Sequence, residues 1–362
     1  MKKLVSLLLA LCLMLGVAAL AEGDWRVAMI TDYGDITDQS FNQTTYEAAK
    51  AFSEANGVDF TYYKPTGDSD AERIAMVDKA VGDGYNVIVM PGYAFAATII
   101  EEQDMYPDVK FVALDVGEGD LGGATLSPNT FSAVYQEELA GYMAGYAAVK
   151  LGYTKLGFLG GMAVPAVVRY GYGFVQGADA AAAELGVDAE MSYVYANQFY
   201  GDADITAYMD TWYSSGVQVV FACGGGVYTS AAEAAAKVDG AKVIGVDTDQ
   251  AALIDSTYGE GLTVTSAMKG LGATVNTLLA AVLDGSFDET YGGKLENLGL
   301  VSGDDPAANY VQLGTTQFGD GFTEDDYKAL VAGMFDGSVV VSAEIETEPE
   351  VSIAVDYQGN VK

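Results

Sequence analysis

Short runs of uninterrupted apolar residues recur along this chain, each followed by a stretch of helical spacing. Val27-Ala28-Met29-Ile30, Val87-Ile88-Val89-Met90, Phe111-Val112-Ala113-Leu114, Val217 to Ala222 and Val243-Ile244-Gly245-Val246 are such runs. A strand that is apolar without alternation is buried on both faces, the condition of a parallel sheet covered by helices. Weaker strands are predicted at 60–63, 130–134, 155–161, 192–195 and 263–267. Helices are predicted over 41–56, where Phe41, Thr45, Ala48, Ala49 and Phe52 share a face, then at 70–81, to about Met105, 136–150, 166–185, 203–214, 229–237, 270–283 and 325–335. The alternation pauses at the apolar helix 136–150 and restarts at Lys155. Two successive βαβ series imply two doubly wound parallel-sheet lobes, each with helices on both faces.

Open sheets of this kind bind ligands beyond the carboxyl ends of their strands. The polar turn Thr31 to Asn42 lies at such an end. Ser40 is placed to cap the following helix, and Asp38 and Asn42 stand beside its start. Asp32 and Asp35 read as turn formers. Gly92-Tyr93 with Phe95, Asp115 and Asp247 occupy three further strand ends. An Asp after a buried strand is often only a turn former. Two of them with Asp38, and aromatics interleaved, mark a cleft between lobes. Tyr170 and Phe174, at helical spacing, read first as core. Gly224-Gly225-Gly226 lets backbone approach a ligand or turn sharply. No Lys-Ser or Lys-Thr follows it, so it is not a phosphate loop. Gly171, Gly173 and Gly177 lack the strand-then-helix setting of a dinucleotide site.

Composition narrows the chemistry. The chain of 362 residues has no His and two Cys, Cys12 and Cys223. No metal-ligand spacing appears, and neither a cofactor nor a metal is expected. Lys2 and Lys3 precede an apolar stretch ending Ala19-Leu20-Ala21, so residues 1–21 read as a signal peptide. Leu11 before Cys12 is too large for a lipidation site, and no lipid anchor is expected. Removing Lys2 and Lys3 from 17 basic side chains leaves 15 against 51 acidic ones, a net charge of −36. Such a surface repels nucleic acid and anionic lipid.

Five blocks carry a resemblance: Gly34 to Asn42, Phe158 to Met162, Arg169 to Ala178, Ile244 to Gln250, and Thr265 to Lys269. In order and spacing they resemble the basic membrane protein family of ABC-transporter substrate-binding proteins, which includes purine nucleoside receptors. The resemblance implies a type I periplasmic-binding fold with three crossovers and ligand at the hinge. It suggests an amino-terminal lobe of 22–133 plus 267–288, a second lobe of 134–266 plus 289–342, and an acidic tail, 343–362. It implies that Asp38, Phe41 and Asn42 meet the base or sugar edge, that Tyr93 and Asp115 face the base, and that Tyr170 and Phe199 sandwich it. Gly225 would offer backbone, Asp247 would accept from ribose hydroxyls, and Lys269 would donate near the sugar. Tyr170 stands where the family usually has Phe.

The expected protein is therefore a non-enzymatic, monomeric, extracytoplasmic carrier that delivers a nucleoside to an ABC permease. Only three Arg are present, at 26, 73 and 169, which favours a nucleoside over a nucleotide. Two alternatives are a sugar-binding protein of the same fold and a secreted nucleoside hydrolase. The hydrolase resemblance calls for an adjacent Asp pair that Asp32, Asp35 and Asp38 lack. A ligand-sensing partner of a membrane receptor is a third.

Overall fold

The computed structural model describes residues 25–361; the expected signal peptide, with Cys12, lies outside them. In the first lobe, β1 (Arg26–Ile30), β2 (Asp59–Tyr63), β3 (Val87–Pro91), β4 (Lys110–Leu114), β5 (Thr130–Tyr135) and a late strand, β11 (Lys294–Leu298), form an all-parallel sheet in the order β2-β1-β3-β4-β5-β11. The second lobe repeats the plan. It uses β6 (Lys155–Gly160), β7 (Glu190–Tyr195), β8 (Val219–Cys223), β9 (Lys242–Asp247), β10 (Thr263–Lys269), β12 (Val311–Leu313) and β13 (Ala354–Asn360), ordered β13-β7-β6-β8-β9-β10-β12. Only β12 runs antiparallel to its neighbour. In each sheet the strand order reverses beside the first strand of the series, which opens a crevice at the carboxyl edge.

Three crossings join the lobes. The first is Gln136, between β5 and α4 (Glu137–Lys150); the second is Gly270, between β10 and α9 (Leu271–Asp284); the third is the segment 299–310 between β11 and β12. They lie side by side. Gln136 N–H donates to Leu298 O at 3.0 Å, Gly270 N–H to Tyr310 O at 2.7 Å, and Tyr310 N–H to Gly299 O at 3.0 Å.

Helix α9 packs on α1 (Phe41–Asn56) of the first lobe, and α4 packs along α5 (Pro165–Leu185) of the second. The second contact is unusually close. A Cβ on Gly141 or Gly145 of α4, or on Gly173 or Gly177 of α5, would lie 2.0–2.1 Å from a backbone oxygen of the facing helix. Only glycine lets the two backbones meet. Gly173 and Gly177 are thereby accounted for, Gly171 instead making room for the Tyr193 and Phe158 side chains, and the first residues of α4 are set against Arg169 and Tyr170. Beneath them Phe158 stacks on Tyr193 at 4.4 Å, with Phe221 edge-on to both Phe158 and Tyr170.

Three expectations are corrected. Residues 294–298, assigned with 289–342 to the second lobe, pair with β5 in the first sheet, from Lys294 opposite Phe131 to Leu298 opposite Tyr135. This half-exposed edge strand has no apolar run to reveal its partner. The tail 343–362, expected to lack a core pattern, contributes β13, which pairs with β7 and sends Gln358 to the Tyr208 hydroxyl and the Trp212 indole. The first two crossings fall a few residues beyond the expected junctions at 133/134 and 266/267. Helix α8 (Ala251–Tyr258), at 8 residues too short to show a period, was not expected. Among the described residues no helix is long and apolar enough to cross a membrane.

Candidate functional site

A cavity of about 540 Å³ lies between the carboxyl edges of the two sheets. This is within the roughly 300–1,000 Å³ usual for small-molecule sites. Its wall includes Asp38, Phe41, Asn42, Tyr93, Asp115, Tyr170, Phe199, Gly225, Asp247 and Lys269, so the ten residues singled out in the sequence meet in one space. Phe41 and Asn42 open α1, Tyr93 follows β3, Asp115 follows β4, and Tyr170 projects from α5. Phe199 and Gly225 lie in the loops after β7 and β8, Asp247 ends β9 and Lys269 ends β10. Phe174 stays in the core, as its spacing suggested.

The turn from β1 to α1 is built differently from expectation. Asp38, not Ser40, caps the helix: its carboxylate accepts from the backbone N–H groups of Ser40, Asn42 and Gln43 at 2.9, 2.9 and 3.0 Å. An ionised carboxylate is the stronger acceptor and takes these unpaired donors. Ser40 is released to donate across the cleft to Asp247 Oδ2 at 2.6 Å. Asp32 accepts from the N–H groups of Tyr33 and Gly34, the turn-forming role expected of it, and is buried in the cavity wall. Asp35 pairs with Lys64 at the exposed rim.

Gly225 braces Phe199. It has φ +52°, and a Cβ there would lie 2.8 Å from Phe199 O, while Gly226 N–H donates to the same carbonyl at 2.8 Å. The glycine run therefore fixes an aromatic ring in the wall.

At the floor lies a buried cluster of five charges. Lys269 Nζ is 2.7 Å from Asp115 Oδ2, 3.1 Å from Glu137 Oε1 and 4.0 Å from Asp247 Oδ1. Glu137 Oε2 meets Arg169 Nε at 2.6 Å. The ammonium also lies 5.0, 5.4 and 5.6 Å from the ring centres of Phe41, Tyr135 and Tyr170. Burial pushes the Asp115 carboxyl up to about 6, Lys269 pulling against it and Glu137 adding to it. Burial opposes the Lys269 ammonium, but Asp115, Glu137 and Asp247 hold its pKa above the ordinary value. Burial likewise opposes the Glu137 carboxylate, and Lys269 and Arg169 outweigh it.

Asp115 and Asp247 both sit at φ +64°, at matching strand ends of the two lobes. Non-glycine residues adopt this conformation at a cost, and such residues gather at functional sites. Three polar atoms in the cavity wall, Asn42 Oδ1, Asp115 Oδ1 and the Tyr170 hydroxyl, are buried without a hydrogen-bond partner among the described residues. Groups so placed are a few per hundred residues in native proteins and call for an explanation.

Sequence reasoning missed Glu137, Ser40 as a cleft-spanning donor, and Gln250, whose side-chain amide donates to Gln39 O at 2.9 Å between the lobes. Glu137 had one signal, the acidic pair Glu137-Glu138 opening a helix with no further charge before Lys150.

The sequence model of one family, described as ABC transporter substrate-binding protein PnrA-like, matches residues 25–303. The chain belongs to this family, Bmp. A Bmp relative from Lactococcus lactis subsp. cremoris, named ABC transporter nucleoside-binding protein BmpA, is 28% identical over 304 residues, 80% of this chain and 82% of the relative. Basic membrane protein B of Borreliella afzelii is 28% identical, covering 77% of this chain and 79% of its own. Two solved structures share the fold. One is described as ABC transporter system solute-binding proteins from Aeropyrum pernix K1 (TM-score 0.67, 22% identity, 87% of both chains). The other is a solute-binding protein from Conexibacter woesei (TM-score 0.66, 23% identity, 88% of this chain and 99% of that one). As a Bmp protein the chain is an ABC transporter substrate-binding protein, with the type I periplasmic-binding fold implied by its resemblance. The family match ends before β12, α11 (Glu324–Phe335) and β13.

Proposed function

We propose that this Bmp protein is a monomeric extracytoplasmic receptor that closes on a nucleoside and passes it to an ABC permease. The observation that carries this reading is the set of buried, partnerless polar atoms of Asn42, Asp115 and Tyr170, three residues that line a cavity together with Phe41, Tyr93, Phe199 and Tyr228. Aromatic rings suit the flat face of a base, each pair contributing about 0.5–1.5 kcal/mol beyond its buried area. The acceptors suit ring N–H groups and ribose hydroxyls, with Asp247 as the expected partner of the diol. Phosphate is disfavoured. The cationic side chains of the wall are Lys64 and Lys269, already paired with Asp35 and with Asp115 and Glu137. The name of the Lactococcus relative agrees with a nucleoside.

Closure would bring Asp38, Asn42 and Asp115 of the first lobe against Asp247 of the second, so that ligand favours the closed form by differential contact. Titration calorimetry with inosine, guanosine, adenosine and ribose tests the assignment. Heat is expected with at least one nucleoside and none with ribose, and Asp247→Ala is expected to abolish it while the circular-dichroism melt stays cooperative. Wild-type affinity in Asp247→Ala removes that residue from the site. Heat with ribose alone moves the reading to a sugar carrier, and release of free base from inosine moves it to a hydrolase.

A further inference from the structure

Glu137 is fully buried and lies outside the cavity wall. It is the first residue after the crossing at Gln136, and Lys269 is the last before the crossing at Gly270. Their ion pair therefore ties two of the three segments about which the lobes turn. Glu137, Arg169, Asp247 and Lys269 all belong to second-lobe elements, whereas Asp115 belongs to the first. The contact at 2.7 Å between Lys269 and Asp115 is the one ion pair of this cluster that spans the lobes.

We propose that Glu137, backed by Arg169, is a positioning residue that holds Lys269 so that its ammonium takes one oxygen of Asp115 and leaves the other for the ligand. Asp115 Oδ2 is bonded to Lys269, whereas Asp115 Oδ1 is buried without a hydrogen-bond partner, in a residue that lines the cavity. Without the Glu137 charge, the remaining carboxylates near Lys269 are Asp115 and Asp247, both in the wall. The ammonium would then saturate the acceptors that a ligand needs. With Glu137 the cluster holds three acids and two cations; without it the two signs balance, and the floor loses its excess of acceptors. Other groups facing the cluster are the hydroxyls of Tyr135 and Tyr170, the Cys223 thiol, the neighbouring Glu138 and, from the first lobe, Asp38 and the Ser40 hydroxyl beside Asp247. Tyr135 is already bonded to Thr274, and none of these groups is a cation that could replace Lys269.

The ligand-binding half of this inference rests on the nucleoside reading; the positioning half does not. Two measurements separate them: inosine affinity by calorimetry, and the acid–base midpoint of the Asp115 carboxyl by carbon-13 NMR on protein without nucleoside. Glu137→Gln is expected to weaken inosine at least tenfold and to move the Asp115 midpoint to lower pH, because a like charge is gone and Lys269 turns toward Asp115. Arg169→Gln is expected to move the midpoint the other way, because Glu137 then draws Lys269 back. Glu137→Asp, which keeps the charge, should restore most of the wild-type midpoint. A role in stability alone would lower the melting temperature of both Gln variants without giving midpoint shifts of opposite sign. Folded Gln variants with the wild-type midpoint overturn the proposal; if Glu137→Gln does not fold, Arg169→Gln decides it. Midpoint shifts as expected in a protein that ignores every nucleoside overturn the ligand assignment and leave the positioning role standing.

Discussion

Tyr170, a cavity-lining residue with 1% of its surface exposed, buries its hydroxyl with no hydrogen-bond partner among the described residues. A buried unpaired hydroxyl costs about 1–3 kcal/mol. Tyr170→Phe should therefore raise stability by about 1 kcal/mol, a few degrees in melting temperature for lobes of this size. If the hydroxyl serves a ligand, the same change should weaken nucleoside binding about tenfold, the equivalent of about 1.4 kcal/mol. Melts and calorimetry on one preparation check both signs, and a variant that gains stability without losing affinity shows that the hydroxyl has no ligand role. At this scale the strand-end residues Asp115 and Asp247 were legible, because an apolar run fixes where its strand ends. The exchange of roles between Asp38 and Ser40 was not: either side chain fits the cap, and the Asp247 contact that decides it comes from the other lobe. Glu137 was hidden for a related reason. A Glu at a helix start reads as a partner for the helix dipole, and its cations are 32 and 132 positions away in sequence.

The paired helices α4 and α5 turn sequence into site geometry most directly. Their facing glycines set the distance at which Glu137 meets Arg169. In Gly145→Ala a methyl group would enter a space 2.1 Å from Phe174 O, and the helices must part. Overpacking of this kind costs about 1–3 kcal/mol. Lower thermal stability is expected together with weaker nucleoside binding, because the separation moves α5 and Tyr170 with it. Gly152→Ala, at φ +98° with no neighbouring atom near its Cβ, serves as a control that should lose stability without losing affinity. The central strands and long helices were readable, since each is apolar enough to declare its period. The edge strands β11 and β13 were not. Their half-exposed faces leave too few apolar residues to show which sheet they join, and pairing decides it.

Over the whole molecule, three buried carboxyls with raised pKa values and a large negative charge act on stability in the same direction. Burial pushes Glu102 and Glu138 up to about 7, as it pushes Asp115 up to about 6. Each is raised above its unfolded value near 4, so at these three sites the folded protein binds more protons than the unfolded chain between about pH 4 and 7, and their contribution to stability falls as pH rises through that window. The formal charge of −34 adds self-repulsion that also grows with pH and that salt screens. Ligand binding should run the other way, because Asp115 accepts a hydrogen bond fully only when ionised. Lowering the pH from 7.5 to 5 should therefore raise the melting temperature while weakening nucleoside affinity, most steeply below pH 6. Added salt should shrink the part of the melting shift due to net charge and leave the part due to the buried carboxyls. Melts and calorimetry at pH 5, 6 and 7.5, each at low and high salt, check this. A melting temperature that declines steadily toward pH 5 at both salt concentrations means that the buried carboxyls are ionised and paired in the folded state, and the acid limb of binding then belongs to another group.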